Sequence, residues 1–194
     1  MSAAERVKLP KRKVYTVKSL MRDMMAIEAT PTVVQKIGTE VIYFEWTCCR
    51  ESFGDNHPVT VGLDMLLKFM QEDYERFLLE GELWRTADTP RAAINKFLKT
   101  LPPEVLDHEL CRESEYIHSV LEAARQERLR EIRRCEQIEK GLRAELKQSP
   151  DDPDLHNQLR LVLWLLGEYR EASQEFKTAK KLGWAPDKSV LVAL

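Results

Sequence analysis

The chain has 194 residues, 43% hydrophobic and 32% charged, with a formal net charge of -2. This is too apolar for wholesale disorder and too neutral for a whole-surface polyanion binder, and the length suits one domain or one domain with an extension. The low content of 7 Gly and 9 Pro argues against a loop-rich all-β fold, no run of 18 apolar residues offers a membrane-spanning helix, and no secretory apolar stretch follows Met1.

Residues 1–18 read as a basic extended arm, without a sustained apolar period and interrupted by Pro10. Seven basic side chains fall in residues 1–22 against Glu5 alone, so a basic stretch precedes an acidic remainder. Lys8, Lys11, Arg12 and Lys13 form its densest part and suit an anionic partner, an import receptor or an acidic protein neighbour.

A helical bundle is expected over 19–112. Ser19 is placed as a helix cap before Leu20, Met21, Met24, Met25 and Ile27. Thr30-Pro31 opens a second helix whose inward stripe is Val34, Ile37, Val41, Phe44 and Cys48, with Gly38 as its weak point and Gly54 as its stop. Residues 41–47 also alternate as a strand would, but an isolated strand would leave backbone groups unpaired, so helix is preferred. Thr60 is placed as the cap of a helix through Leu63, Leu66, Leu67, Met70, Tyr74, Phe77 and Leu78, ending near Gly81 or Trp84. Thr89-Pro90 starts another with Ala93, Ile94, Phe97, Leu98 and Leu101 inward, and Pro103 starts a short turn through Val105, Leu106 and Leu110.

A long charged helix is expected over 113–148. Its narrow stripe is Ile117, Leu121, Ala124, Ile132, Cys135, Ile138, Leu142 and Leu146, interrupted by Arg128. Residues 149–194 then form a helical hairpin and an apolar tail. Leu159 and Leu163 take the packing positions of its first helix, Gly167 and Tyr169 the turn, and Ala172, Phe176 and Ala179 the second helix. Phe176 is expected in the groove beside Leu159 and Leu163.

Over residues 150–186 this pattern resembles a tetratricopeptide repeat, in which paired helices stack on neighbouring pairs. The resemblance implies protein or peptide binding on a helical surface. It covers about one unit, and the chain departs from the family pattern at His156, which stands where Trp is usual, at Arg160, which stands where Gly is usual, and in the displaced Pro186.

The chemistry-bearing residues give little by spacing. The vicinal pair Cys48-Cys49 is not a metal-ligand spacing, no C-x-x-C occurs, and the four cysteines read as reduced thiols. His108, with Asp107, Glu109 and Cys111, is the densest ligand-like group, but it lacks a fourth convergent ligand and reads as a polar helix terminus. Phosphate-loop, dinucleotide and nucleophile-elbow motifs are absent.

The expectation is therefore an all-α protein of the intracellular, soluble class, cytoplasmic first, with nucleus or mitochondrion as alternatives. It would be a non-catalytic adaptor or structural subunit of a larger assembly, with no cofactor, metal or membrane insertion. Partner contact is assigned to Trp184, Val190, Leu191, Val192 and Leu194. An RNA-associated subunit of a ribosomal or ribonucleoprotein particle, using the basic arm, is the alternative. An enzyme of unknown class is the third reading.

Overall fold

The computed structural model describes residues 8–28, 30–73 and 89–185. Their architecture is all-α: no strand occurs among them, and the one β-type pairing is an isolated antiparallel bridge between Thr16 and Glu109. The chain divides into two compact units, residues 1–129 and 130–194, with the boundary inside the long helix. The segment expected as a separate piece over 113–148 is thus shared between them.

In the first unit, the arm runs from Lys8 to Tyr15 without helix and leads into α1, Val17–Ala26. The cap is Thr16, not Ser19. The Ser19 amide donates to Thr16 Oγ1 at 3.2 Å and the Thr16 amide donates to Ser19 Oγ at 2.9 Å, a reciprocal box in which Ser19 is the third helical residue. The arm's basic end is anchored too: Leu9 is buried, and Arg12 makes a two-pronged pair with buried Asp23 at 2.8 and 2.9 Å.

Helix α2 covers Pro31–Ile37, and α3 covers Tyr43–Phe53. Between them Gly38–Ile42 makes a π turn, in which the Tyr43 amide donates to the Gly38 carbonyl five residues back. Residues 41–47 are therefore helical, and the weak point at Gly38 became a wider turn, not a break. A Cβ at Gly38 would lie 3.3 Å from Met70 Cβ, so this glycine lets the two segments approach. The chain leaves α3 at Gly54, whose φ of +86° suits glycine.

Helix α4 covers Pro58–Lys68 and continues as a second π turn, Phe69–Asp73. Its cap is His57, whose Nδ1 accepts from the Val59 amide at 3.3 Å, so Thr60 lies inside the helix and is buried. The expected continuation through Tyr74, Phe77 and Leu78 toward Gly81 or Trp84 lies outside the described residues. Helix α5, Pro90–Leu98, starts at the expected cap, with Thr89 Oγ1 accepting from the Ala92 amide at 3.2 Å. Helix α6 is the short Pro103–Leu106.

The core of this unit joins Leu20, Met21 and Met24 of α1, Val34 and Ile37 of α2, Leu63 and Leu66 of α4, Val105 of α6, and Ile117 and Leu121 of the long helix α7, Ser114–Leu146. Arg128, expected to interrupt the α7 stripe, is buried within it and donates to Glu28 Oε2 at 3.0 Å. Phe69 and Phe97 stack with centroids 4.0 Å apart.

The second unit contains the C-terminal half of α7, helix α8, Pro153–Leu166, and helix α9, Tyr169–Lys181. Asp152 caps α8 by accepting from the Asp154 and Leu155 amides at 2.9 and 3.2 Å. The α8–α9 turn passes through Gly167 at φ +85°, and the Glu168 amide donates to the Leu163 carbonyl at 2.9 Å. Ile132, Cys135 and Leu142 of α7 are buried, as are Leu159, Leu163, Ala172 and Ala179. Ile138, expected on the α7 stripe, is 51% exposed.

The tight approach of α6 to α4 in the first unit yields a test. A Cβ at Gly62 would meet Val105 Cγ2 at 2.3 Å, so α6 can lie on α4 only where position 62 has no side chain. Gly62→Ala is expected to destabilise the chain by about 1–3 kcal/mol, the usual range for overpacking. Adding Val105→Ala should recover part of that loss in chemical denaturation. A neutral Gly62→Ala variant would contradict this packing.

Candidate functional site

The most convergent set of chemical groups lies in the first unit, where α3 faces the loop between α6 and α7. The π turn adds a residue to the helix before α3, and one residue rotates a helical face by about 100°. The inward stripe after it therefore runs through Glu45 and Cys49, each 2% exposed, while Phe44 and Cys48 are only half-buried. The sequence stripe had these two pairs the other way round. Glu45 and Cys49, four residues apart, lie on one helical face.

His108 and Cys111 come from the facing loop. The Thr16–Glu109 bridge fixes that loop: the Val17 amide donates to the His108 carbonyl at 3.2 Å, and the Leu110 amide donates to the Tyr15 carbonyl at 2.8 Å. Leu110 is buried, and the Arg112 guanidinium stacks over Phe44 with its carbon 3.4 Å from the ring centre.

Three donor atoms meet there. His108 Nε2 lies 2.8 Å from Glu45 Oε1, Cys49 Sγ lies 3.4 Å from His108 Nε2, and Cys49 Sγ lies 3.8 Å from Glu45 Oε1. Glu45 Oε2 accepts from the Cys111 amide at 2.7 Å. Burial, followed by the adjacent Glu45 carboxylate, pushes the Cys49 thiol up to about 12. The Cys111 residue is exposed as a whole; loss of water around its thiol, followed by the influence of the Glu45 and Cys48 side chains, raises its pKa as well. Protonated thiols of this kind are poor nucleophiles, the opposite of what a catalytic cysteine needs. Of the ligand-like group seen in the sequence, His108 and Cys111 take part, whereas Asp107 and Glu109 are exposed. Spacing along the chain did not single out Glu45 and Cys49 as a pair; their signal was a carboxylate and a thiol four residues apart on a helix.

The other assigned residues are elsewhere. Lys8, Lys11 and Lys13 are exposed, while Arg12 is occupied by Asp23. Lys8 and Lys11 border a shallow cleft with His118 and Glu122 of α7. In the second unit, Trp184 is half-buried, with its ring edge-on to Phe176 at 6.0 Å, and its amide donates to the Ala179 carbonyl at 2.9 Å. Phe176 is also half-buried, beneath the Arg160 guanidinium at 5.1 Å and the Lys180 ammonium at 4.4 Å. Tyr169 meets Trp164 edge-on at 6.0 Å. Val190, Leu191, Val192 and Leu194 lie outside the described residues.

His156 ties the hairpin together: Nδ1 lies 2.5 Å from Glu175 Oε2 and Nε2 lies 2.9 Å from the Pro150 carbonyl oxygen. No described helix is long and apolar enough to cross a membrane. Comparison of the chain with protein-family models, curated proteins and solved structures finds no match.

The two acceptors around His156 make the hairpin pH-dependent. Burial is the largest single influence and lowers the pKa of the ring. The hydrogen bonds to Glu175 and Pro150, with the charges of Glu175 and Asp151, outweigh it, and the net direction is upward. A folded value above the unfolded one stabilises the hairpin fully below the ordinary value of about 6.5 and loses that contribution as pH rises through the folded pKa. The stability advantage of the wild type over His156→Gln, from denaturation at a series of pH values, should shrink as pH rises above the ordinary histidine value of about 6.5. A constant advantage would show that the charged ring does not hold the hairpin.

Proposed function

We propose that the chain is a non-catalytic protein-interaction subunit of a larger assembly, with a tetratricopeptide-like hairpin as its docking element. The observation that carries this reading is the packing of α8 against α9: Leu159, Leu163, Ala172 and Ala179 are all buried, and Gly167 closes the turn in the left-handed conformation. Small residues at Ala172 and Ala179 allow close approach of the paired helices, which is how the family it resembles builds stackable units. A single unit of that kind offers outer faces for stacking, and α8 leaves Leu155, Leu161, Leu165 and Leu166 half-buried. Trp184 and the apolar Val190, Leu191, Val192 and Leu194 follow this unit in sequence and are assigned to the partner contact. Four free cysteines suit a reducing intracellular compartment, with the cytoplasm first.

The RNA-associated alternative rests on the exposed Lys8, Lys11 and Lys13, and it is weakened by the commitment of Arg12 to Asp23. Deletion of residues 189–194 tests the preferred reading. The chain should keep its melting temperature while losing the partner cross-links that map to residues 150–185 in the intact protein, and capture should tolerate salt. Loss of folding in the isolated chain, with capture retained whenever it folds, would make the segment an intramolecular cap. Capture of RNA that falls steeply with salt and depends on Lys8, Lys11 and Lys13 would favour the arm instead.

A further inference from the structure

We propose that Glu45, Cys49 and His108, closed by Cys111, form a structural zinc site that clamps α3 to the loop between α6 and α7. The ligand atoms of the first three lie within 4.8 Å of one another. In tetrahedral zinc coordination, bonds of about 2.0–2.1 Å to N or O and about 2.3 Å to S place S and N, or S and O, about 3.5 Å apart. The separations here are 3.4 Å for Cys49 Sγ to His108 Nε2 and 3.8 Å for Cys49 Sγ to Glu45 Oε1. Only the 2.8 Å gap between His108 Nε2 and Glu45 Oε1 must widen, by about half an ångström, as a hydrogen bond gives way to two metal bonds.

The mutual approach of the three atoms also favours a cation. His108 Nε2 and Cys49 Sγ both lie against Glu45 Oε1, and the sulfur also approaches the nitrogen at 3.4 Å. Three atoms that can offer lone pairs face a common point, and one of them carries a carboxylate's negative charge. On coordination, each ligating thiol gives its proton to solvent, and His108 binds through an unprotonated Nε2.

The donor set selects the ion. Thiolate and imidazole favour zinc over calcium or magnesium, which prefer oxygen. Burial of Glu45 and Cys49 describes a closed structural centre, which takes four protein ligands. Cys111, anchored to Glu45 through its backbone, is the fourth in this proposal, its side chain turning inward to reach the ion. Its amide holds Glu45 Oε2 at 2.7 Å, the kind of outer hydrogen bond that orients a metal-binding carboxylate. Cys48 is half-buried beside the site, and Cys135 belongs to the second unit.

The test uses the full chain, stripped with a chelator and titrated with zinc against a chromophoric competitor, then with cobalt as a spectroscopic substitute. One equivalent should bind and raise the melting temperature, and the cobalt form should show tetrahedral visible bands with thiolate charge transfer in the near ultraviolet. Cys49→Ser and His108→Gln should each weaken zinc binding by at least about 100-fold and Cys111→Ser by at least about 10-fold, with Cys135→Ser unchanged. A readout free of substitution covers variants that fail to fold: zinc should slow alkylation of Cys111 relative to Cys48 in the wild type. Cobalt spectra without thiolate charge transfer, or Cys111 alkylation indifferent to zinc, would overturn the site and leave the cluster as a hydrogen-bonded polar core.

Discussion

Glu45 is the constraint on which the first unit turns. A carboxylate buried to 2% exposure on the inward face of α3 is tolerable only if other groups replace its water. Its donors cannot come from its own helix backbone, so a distant segment must bring them. The Cys111 amide and the His108 ring do so from 66 and 63 residues away. Because that loop is itself paired to Tyr15 and Val17, the same node locates the arm and the start of α1. The non-helical arm and loop, and the first turn of α1 between them, are thus positioned by one buried acid.

Two further acids work the same way. Asp23 is 3% exposed on α1 and takes both prongs of Arg12, which turns a basic stretch into a fixed strap. Glu28 adopts φ +60° at the end of α1, a left-handed backbone that costs a non-glycine residue about 1 kcal/mol, and from there it reaches Arg128 on α7. Buried ion pairs add little net stability compared with a well-packed apolar core, but separating one is costly. Their effect here is to select register: slippage of α7 along the core would strand Arg128 among Leu and Ile side chains. The apolar residues supply the driving force for collapse, and the acids choose which collapsed arrangement survives.

Local signals were the readable part of the sequence. Thr89-Pro90, Pro103 and Asp152-Pro153 start helices, and Gly54 and Gly167 end them, because each acts through its own backbone or its nearest amides. The all-α class and the buried Leu159, Leu163, Ala172 and Ala179 followed from spacing alone. What spacing could not give was the face of α3. A period of 3.6 carried past Gly38 leads to Phe44 and Cys48, whereas the π turn advances the stripe by one residue to Glu45 and Cys49. Gly38, where that turn begins, lets Met70 approach closely, a contact between segments that no local pattern encodes. The convergence of His108 on α3 was hidden for the same reason. Arg128 was misread as a gap in the stripe because its partner is 100 residues away.

The second unit is a helical hairpin joined by polar as well as apolar contacts. His156 spans α8, Glu175 of α9 and the Pro150 carbonyl, so polar bonds hold the two helices together. Arg160 is 5% exposed, hydrogen-bonds Asn157 at 2.9 Å, and lies over Phe176 and Trp184. Loss of water around the guanidinium lowers its pKa to about 10, and the aromatic faces return part of that hydration. Phe176 is half-buried, sandwiched by cations and met edge-on by Trp184. The end of the hairpin is therefore held by alternating cation and ring layers, in which Trp184 already has an intramolecular task. Moving the indole away would uncover the arginine it helps to bury, so the half-buried Trp184 and the cations around Phe176 act as one packed layer.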